Sequence, residues 1–210
     1  MTIKNWFEDV LKEGMTVFRE QEFSYSIWPR EIQRISNVRR VKVDVFPIEN
    51  LPRPRPVRLS EYKVAEETFD GPANYVKAPE TKRMLYELLG HKKFMKGIIK
   101  FLRAFDGDAA SIDDMLSVFK ELYPKEIDYN KFRKWYDEGG TSKVLVQKKY
   151  NAKRNIFTLK VYQNLDRYFP LKIGLLNNRG KEMIQETLHI SKKKHVFKFR
   201  VKQAPYLSLH

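Results

Sequence analysis

Few residue types in this 210-residue chain can do chemistry. There is no cysteine, so disulfides, thiolate-bound zinc, iron–sulfur clusters and thiol nucleophiles are excluded. The four histidines are His91, His189, His195 and His210, and none is followed directly by a glutamate. No H-E-x-x-H pair is therefore present. Hydrolytic zinc needs about three protein ligands, an open position for water and a carboxylate base. His189 and His195 flank a strand turn without a third ligand and do not make a metal site. His91 follows Gly90 at a helix boundary, where capping is the ordinary role.

The residue type in excess is the cation. Lys and Arg number 41 against 26 Asp and Glu, a formal net charge of +15. Residues 143–210 carry sixteen basic residues and only three acids, Asp166, Glu182 and Glu186, so +13 of the excess lies there and +2 in residues 1–142. Such a field attracts polyanions. The candidate polyanion-binding residues are Lys148, Lys149, Lys153, Arg154, Lys192, Lys193, Lys194, Lys198, Arg200 and Lys202. Arg53, Arg55 and Arg58 form a second, smaller basic stretch. Lys198, Arg200 and Lys202 alternate and are expected to share one strand face. The interleaved Tyr150, Phe157, Tyr162, Tyr168 and Phe169 suit phosphate contact combined with stacking, although alternating aromatics also build sheet cores. No RNA-binding signature motif occurs, so recognition would run through shape and backbone.

The elements that must position these residues fall into two kinds. Trp6, Phe7, Val10, Leu11, Val17 and Phe18 recur at helical spacing and predict a helix over residues 6–22, with Gly14 inside it. A glycine there costs about 1 kcal/mol unless a neighbour needs close approach. Pro29 opens a second helix with Ile32, Ile35 and Val38 on one face. Residues 47–60 contain four prolines and read as extended or irregular. Helices follow from Pro79 to Leu89, over 91–105, from Ser111, and over 128–138 with Phe132 and Trp135 inward. After Gly139-Gly140 the apolar period becomes two, at Val144/Val146, Phe157/Leu159/Val161, Leu171/Ile173/Leu175 and Phe197/Phe199/Val201. Four to six short strands with tight turns predict a small antiparallel sandwich. The fold class expected is α+β, with a helical domain over 1–140 and a basic β-sandwich domain over 141–210.

With 14 Phe, 11 Tyr and 3 Trp the chain has enough large apolar side chains for a core. No apolar run approaches the ~18–20 residues that span a bilayer, so membrane insertion is not expected. Residues 1–22 are amphipathic and carry Glu8, Asp9, Glu13, Glu20 and Glu22, unlike a secretory signal or an Arg-rich, acid-poor presequence. An intracellular place, mitochondrial or cytoplasmic, is the expectation.

Several stretches together resemble the aminopeptidase N family of zinc exopeptidases. They are Asn5-Trp6-Phe7, the run Leu11 to Phe23 (LKEGMTVFREQEF), Tyr75, Lys77, Arg83-Met84, Leu88-Leu89-Gly90, Phe105 to Ala110 (FDGDAA), Phe132 to Tyr136 (FRKWY) and Gly140-Thr141. The likeness covers nearly the whole chain and is poorest over 41–74. It implies the helical C-terminal part of a thermolysin-like peptidase domain followed by a β-sandwich. Glu13 matches the family's third zinc ligand, and Tyr75 the tyrosine that donates to the tetrahedral oxyanion. Ala78 and Pro79 replace the small Gly-containing pair expected beside that tyrosine. The family's second zinc-binding His precedes its ligand Glu by about nineteen positions, which falls ahead of Met1.

On that headcount Glu13 and Tyr75 read as vestigial, no catalytic or metal-binding residue is expected, and no cofactor is expected. The expected function is that of a non-catalytic aminopeptidase-N-like protein, a pseudoenzyme reused as a structural or binding part of a larger assembly. Its partner would be RNA in a ribonucleoprotein such as a divergent mitochondrial ribosome. The alternative is one part of a split or truncated zinc aminopeptidase, active when another chain supplies the histidines and the base. A third expectation is that the helical half exposes apolar surface suited to a protein partner.

Overall fold

The structure, a computed structural model, describes residues 2–61, 66 and 71–209. It divides into two compact units, Met1–Thr141 and Ser142–His210.

The first unit is helical. A 3₁₀ turn at Trp6–Glu8 leads into α1 (Asp9–Ile27), followed by α2 (Arg30–Arg40) and α3 (Phe46–Glu49). Then come α4 (Ala78–Leu89), α5 (His91–Ala104), α6 (Ile112–Leu122) and α7 (Tyr129–Asp137). Two two-residue strands, β1 (Thr2–Ile3) and β2 (Ala109–Ala110), pair in parallel. π-helical turns at Val41–Val45 and Pro72–Lys77 run directly into α3 and α4. Such turns widen a helix locally and are frequent at functional sites.

The helix signals in the sequence operate as physical devices. Ser111 accepts from Asp114 N while the Asp114 carboxylate accepts from Ser111 N, a reciprocal capping box that starts α6. Asp128 caps α7 through Lys131 N, and Gly90, at φ 74°, separates α4 from α5. Gly14 supplies the close approach that justifies it: a Cβ there would lie 2.9 Å from Ala78 Cβ and from Lys82 Nζ. The core is built on Leu11, Phe18, Leu85, Phe94, Phe101, Met115, Phe119 and Phe132. Phe94 stands at its centre, with ring centroids 5.4 Å from Phe18, 5.5 Å from Tyr86 and 5.8 Å from Phe119.

Three local expectations are corrected. Helix α2 forms, but buries no residue; Ile32 and Ile35 are 64% and 54% exposed. Its attachment is polar instead, through the Arg34 fork on Glu80 and Asn37 Nδ2 donating to Tyr25 Oη at 2.9 Å. Pro47 lies in α3, into which the π-turn at Val41–Val45 runs directly, so the irregular stretch begins only after Glu49. In α7 the fully buried aromatic beside Phe132 is Tyr136, while Trp135 is only half-buried.

The second unit is a β-sandwich of two three-stranded antiparallel sheets. One has the order β3 (Val144–Asn151), β4 (Ile156–Gln163), β7 (Lys194–Arg200); the other β6 (Glu182–Ile190), β5 (Phe169–Leu176), β8 (Tyr206–Leu209). Alternation sets the inner faces: Phe157, Leu159, Val161 and Phe199 from the first sheet, Ile173, Leu175, Leu188 and Ile190 from the second. The turns carry their own chemistry. Asn177 Oδ1 accepts from Arg179 N and Lys181 N, both at 2.9 Å, and His195 Nε2 accepts from Ser191 N and Lys192 N at 3.0 and 2.9 Å.

Candidate functional site

The start of α1 faces the π-turn that precedes α4, and this meeting builds the first candidate site. Asn5 Oδ1 accepts from Phe7 N and fixes the entry to the helix. Glu8, 3% exposed, accepts from Ile112 N at 2.8 Å and pairs with Arg58 at 3.4 Å. Asp9, also 3% exposed, accepts from Asn74 Nδ2 at 2.9 Å. One turn later on the same face comes Glu13, paired with Lys12 at 3.3 Å. Its carboxylate lies near the phenol of Tyr75, a residue that is 39% exposed, and acts on it electrostatically.

Each acid changes its neighbours. Burial raises the Asp9 carboxyl above its ordinary range, and the nearby Glu13 raises it further, against Lys12 and Asn74. Burial, then the negative charges of Glu13 and Asp9, raise the Tyr75 phenol and hold its proton on oxygen. Tyr75 is therefore a protonated hydroxyl beside a carboxylate. The π-turn presenting it is anchored from below, where Lys77 Nζ meets Glu49 Oε1 at 2.7 Å in the interior. Behind the site the ammonium of Lys82 is wholly buried, donates to Val10 O at 2.9 Å, and lies 4.8 Å from the centre of the Tyr136 ring.

Glu13 and Tyr75, 62 positions apart in sequence, are thus brought together. Asp9, Asn74 and Lys82 are neighbours of the site that sequence reading missed. Asp9 carried a usable signal, since acids at 9 and 13 share a helix face; Asn74 and Lys82 carried none. Among the described residues no group of three or more His, Cys, Asp or Glu could hold a metal. His189 Nδ1 and Tyr168 Oη are 2.7 Å apart, and the His195 ring serves the turn, so both have structural roles. His210 lies outside the described residues.

The basic residues separate. Arg53 and Arg55 are exposed after α3, but Arg58 is half-buried and faces Glu8, Asp113 and Asp137. A guanidinium so surrounded is committed to carboxylates rather than offered to a polyanion. Lys153 and Arg154 sit in the β3–β4 turn, and Lys192 and Lys193 in the turn before β7. Lys194, Lys198 and Arg200 share one face of β7, whereas Lys202 lies beyond the strand. Lys148 and Lys149, adjacent on β3, belong to opposite faces. Lys160 joins the outer face from the central strand; its place between buried Leu159 and Val161 was a readable signal that sequence reasoning passed over.

Comparison with known proteins bears on both units. Residues 1–135 match the peptidase family M1 domain, and residues 140–210 match a domain of unknown function with an Ig-like fold. The chain is similar to aminopeptidase N of Haemophilus influenzae, 33% identical over 217 residues that cover 95% of this chain and 25% of the relative. Aminopeptidase N of Escherichia coli is also 33% identical, over 86% of this chain and 22% of the relative. Among solved structures, Legionella pneumophila aminopeptidase A in complex with aspartic acid superposes with a TM-score of 0.85 at 25% identity, covering 99% of this chain and 23% of that one. The chain thus spans about a quarter of the length of these relatives.

Proposed function

The chain belongs to peptidase family M1, and from that premise we propose that it forms part of the catalytic face of a zinc aminopeptidase. In this reading Glu13 supplies one metal ligand and Tyr75 the hydrogen bond to the oxyanion of the cleaved peptide. The observation that carries it is the nearness of the Glu13 carboxylate to the Tyr75 phenol, two groups far apart in sequence whose charges act on each other at a partly exposed position. The exposed apolar residues of the same unit support it. Phe23, Ile27, Trp28, Ile32, Ile35 and Val43 are each more than half exposed, a face suited to further protein.

The described residues do not make a zinc site by themselves. One carboxylate with a phenol beside it falls short of the roughly three ligands and separate base that hydrolysis requires. Two imidazoles and that base would have to come from outside the described residues, and no hydrolytic step is assigned to this chain alone. What its own residues do is limited and definite. Asp9 and Asn74 hold the first turn of α1 against the π-turn, and Tyr75 keeps a proton available at its oxygen.

The test uses the polypeptide or complex in which this chain naturally occurs. Stoichiometric zinc and chelator-sensitive removal of N-terminal amino acids from peptides are expected. Glu13→Ala should release the metal, and Tyr75→Phe should keep it while lowering kcat by about 10²–10³. A preparation with no zinc and no cleavage overturns the proposal. A second reading, a non-catalytic component of an assembly, is favoured by one observation, that the 210 residues contain no H-E-x-x-H. It gives that negative result, with Glu13→Ala and Tyr75→Phe silent.

A further inference from the structure

The outer face of the β3–β4–β7 sheet belongs to the second unit and has a chemistry of its own. Antiparallel register lines its residues up in rows across the three strands. Lys149, Thr158 and Lys198 form one row; Gln147, Lys160 and Val196 the next; Leu145, Tyr162 and Lys194 the third. Arg200 extends the β7 column beyond the first row. Lys149, Lys160, Lys194, Lys198 and Arg200 are all exposed. Residues 144–163 and 194–200 contain no acid, so no carboxylate on these strands opposes the five cations. The three acids of this unit are Asp166, before β5, and Glu182 and Glu186, on β6 of the other sheet.

Burial of core does not explain this face, because the sheet's buried apolar residues use the opposite side while Leu145 and Val196 on this one stay exposed. The register sets no two of these cations directly opposite each other, so the face carries five like charges and presents them together to whatever negative surface approaches. Rows are about 6.8 Å apart along a strand and strands about 4.8 Å apart across it. The cations therefore form a shallow plate three strands wide and not a cleft for a small anion. Tyr162 lies on the plate with the Lys194 ammonium 5.6 Å from its ring centre. An aromatic among cations offers a stacking surface for an unpaired base, which a duplex does not present. Gln147 and Thr158 stand between the cations as uncharged donors and acceptors suited to a ribose 2′-hydroxyl.

We propose that this sheet face binds single-stranded RNA, with Lys149, Lys160, Lys194, Lys198 and Arg200 on consecutive phosphates and Tyr162 under a base. Recognition is of backbone and base plane, without sequence reading. Binding does not depend on zinc or on Glu13.

The experiment measures fluorescence anisotropy of a labelled 20-nucleotide uridine oligomer with the full 210-residue chain from 50 to 300 mM salt. Neutralising five phosphates gives a slope of log affinity against log salt of about −3.5, at about −0.7 for each contact on a single strand. Combined Lys149→Glu, Lys160→Glu and Lys198→Glu should lower affinity more than tenfold and flatten the slope by about 2. Tyr162→Ala should lose between about fivefold and a hundredfold, and Tyr162→Phe should retain binding. Reversal of three cations on the helical unit, Lys92→Glu, Lys96→Glu and Arg103→Glu, should change affinity by less than twofold. Circular dichroism of each variant reports whether the sandwich is intact. An equal loss from the helical-unit reversals would overturn the proposal. So would binding that survives the sheet reversals, affinity for polyglutamate matching that for RNA, or equal affinity for the deoxythymidine oligomer.

Discussion

The two units treat charge in opposite ways. In the helical unit, with a net +2 over residues 1–142, several cations are drawn inward and matched to acceptors. Lys77 meets Glu49, Arg83 reaches Glu22 and Gln21 at 2.7 Å each, and Arg58 lies among three carboxylates. In the β unit, with +13, the cations of the outer sheet face stand in water beside one another. Buried pairs fix how helices meet, because removing one partner strands the other in a low dielectric. Exposed like charges do not hold the fold together and act chiefly on what approaches from outside. The contrast separates a unit whose charges serve its architecture from one whose charges serve a partner.

Lys82 is where that contrast can be tested most severely. It is buried without a carboxylate in contact, and burial depresses its ammonium from 10.5 to about 7, with Glu8 pulling weakly the other way. The folded state therefore binds fewer protons than the unfolded chain between those two values, so stability rises with pH across that window and is lowest below pH 7. The depression corresponds to on the order of 5 kcal/mol. Lys82→Met keeps most of the volume and removes the titration. Unfolding free energies from urea melts should show the variant several kcal/mol more stable at pH 6 and near parity at pH 10.5. Parallel pH curves for the two proteins would mean that Lys82 has found compensation elsewhere in the unit.

Asp9 gives the same kind of effect with the opposite charge and a smaller size, since Asn74 still donates to it. Its carboxyl is raised by burial and then by Glu13, so the folded state holds its proton to higher pH than the unfolded chain does. Stability should fall as pH rises from about 4 through the folded value. Asp9→Asn should cancel that fall and leave the variant the more stable at neutral pH. A destabilised variant at pH 7 would show that the ionised carboxylate is part of the site's structure.

How much of this was legible in the sequence follows from how local each signal was. The capping box at Ser111, the break at Gly90 and the alternation at Leu159–Val161 are decided within a few residues, and the structure carries all three. The meeting of Glu13 with Tyr75 was legible only through resemblance, because no local pattern relates residues on two helical elements 62 positions apart. Thr81-Lys82-Arg83 reads as a polar stretch of helix surface, yet all three are buried. Helix α4 is covered by α1, α5 and α7, and a residue's own helix face no longer decides its exposure. The reverse happens at Ile32 and Ile35, whose apolar face is real in the pattern but uncovered by the described residues of its unit. Strand β6 escaped notice because Glu182, Gln185 and Glu186 dilute its alternation on an exposed edge.

The mildest substitution sharpens the comparison furthest. Lys198 is exposed on β7 opposite Thr158, in a column with Lys194 and Arg200. Lys198→Gln removes charge without removing packing, so stability should change by no more than about 0.5 kcal/mol, with any gain coming from relieved repulsion. Equilibrium melts at low and high salt measure this directly. Repulsion between exposed cations is screened within about 10 Å at 0.1 M salt, so any gain seen in dilute buffer should vanish as salt is raised. A loss of 1 kcal/mol or more would place Lys198 among the residues that hold the sandwich together, and the outer face would then owe its cations to folding rather than to a ligand.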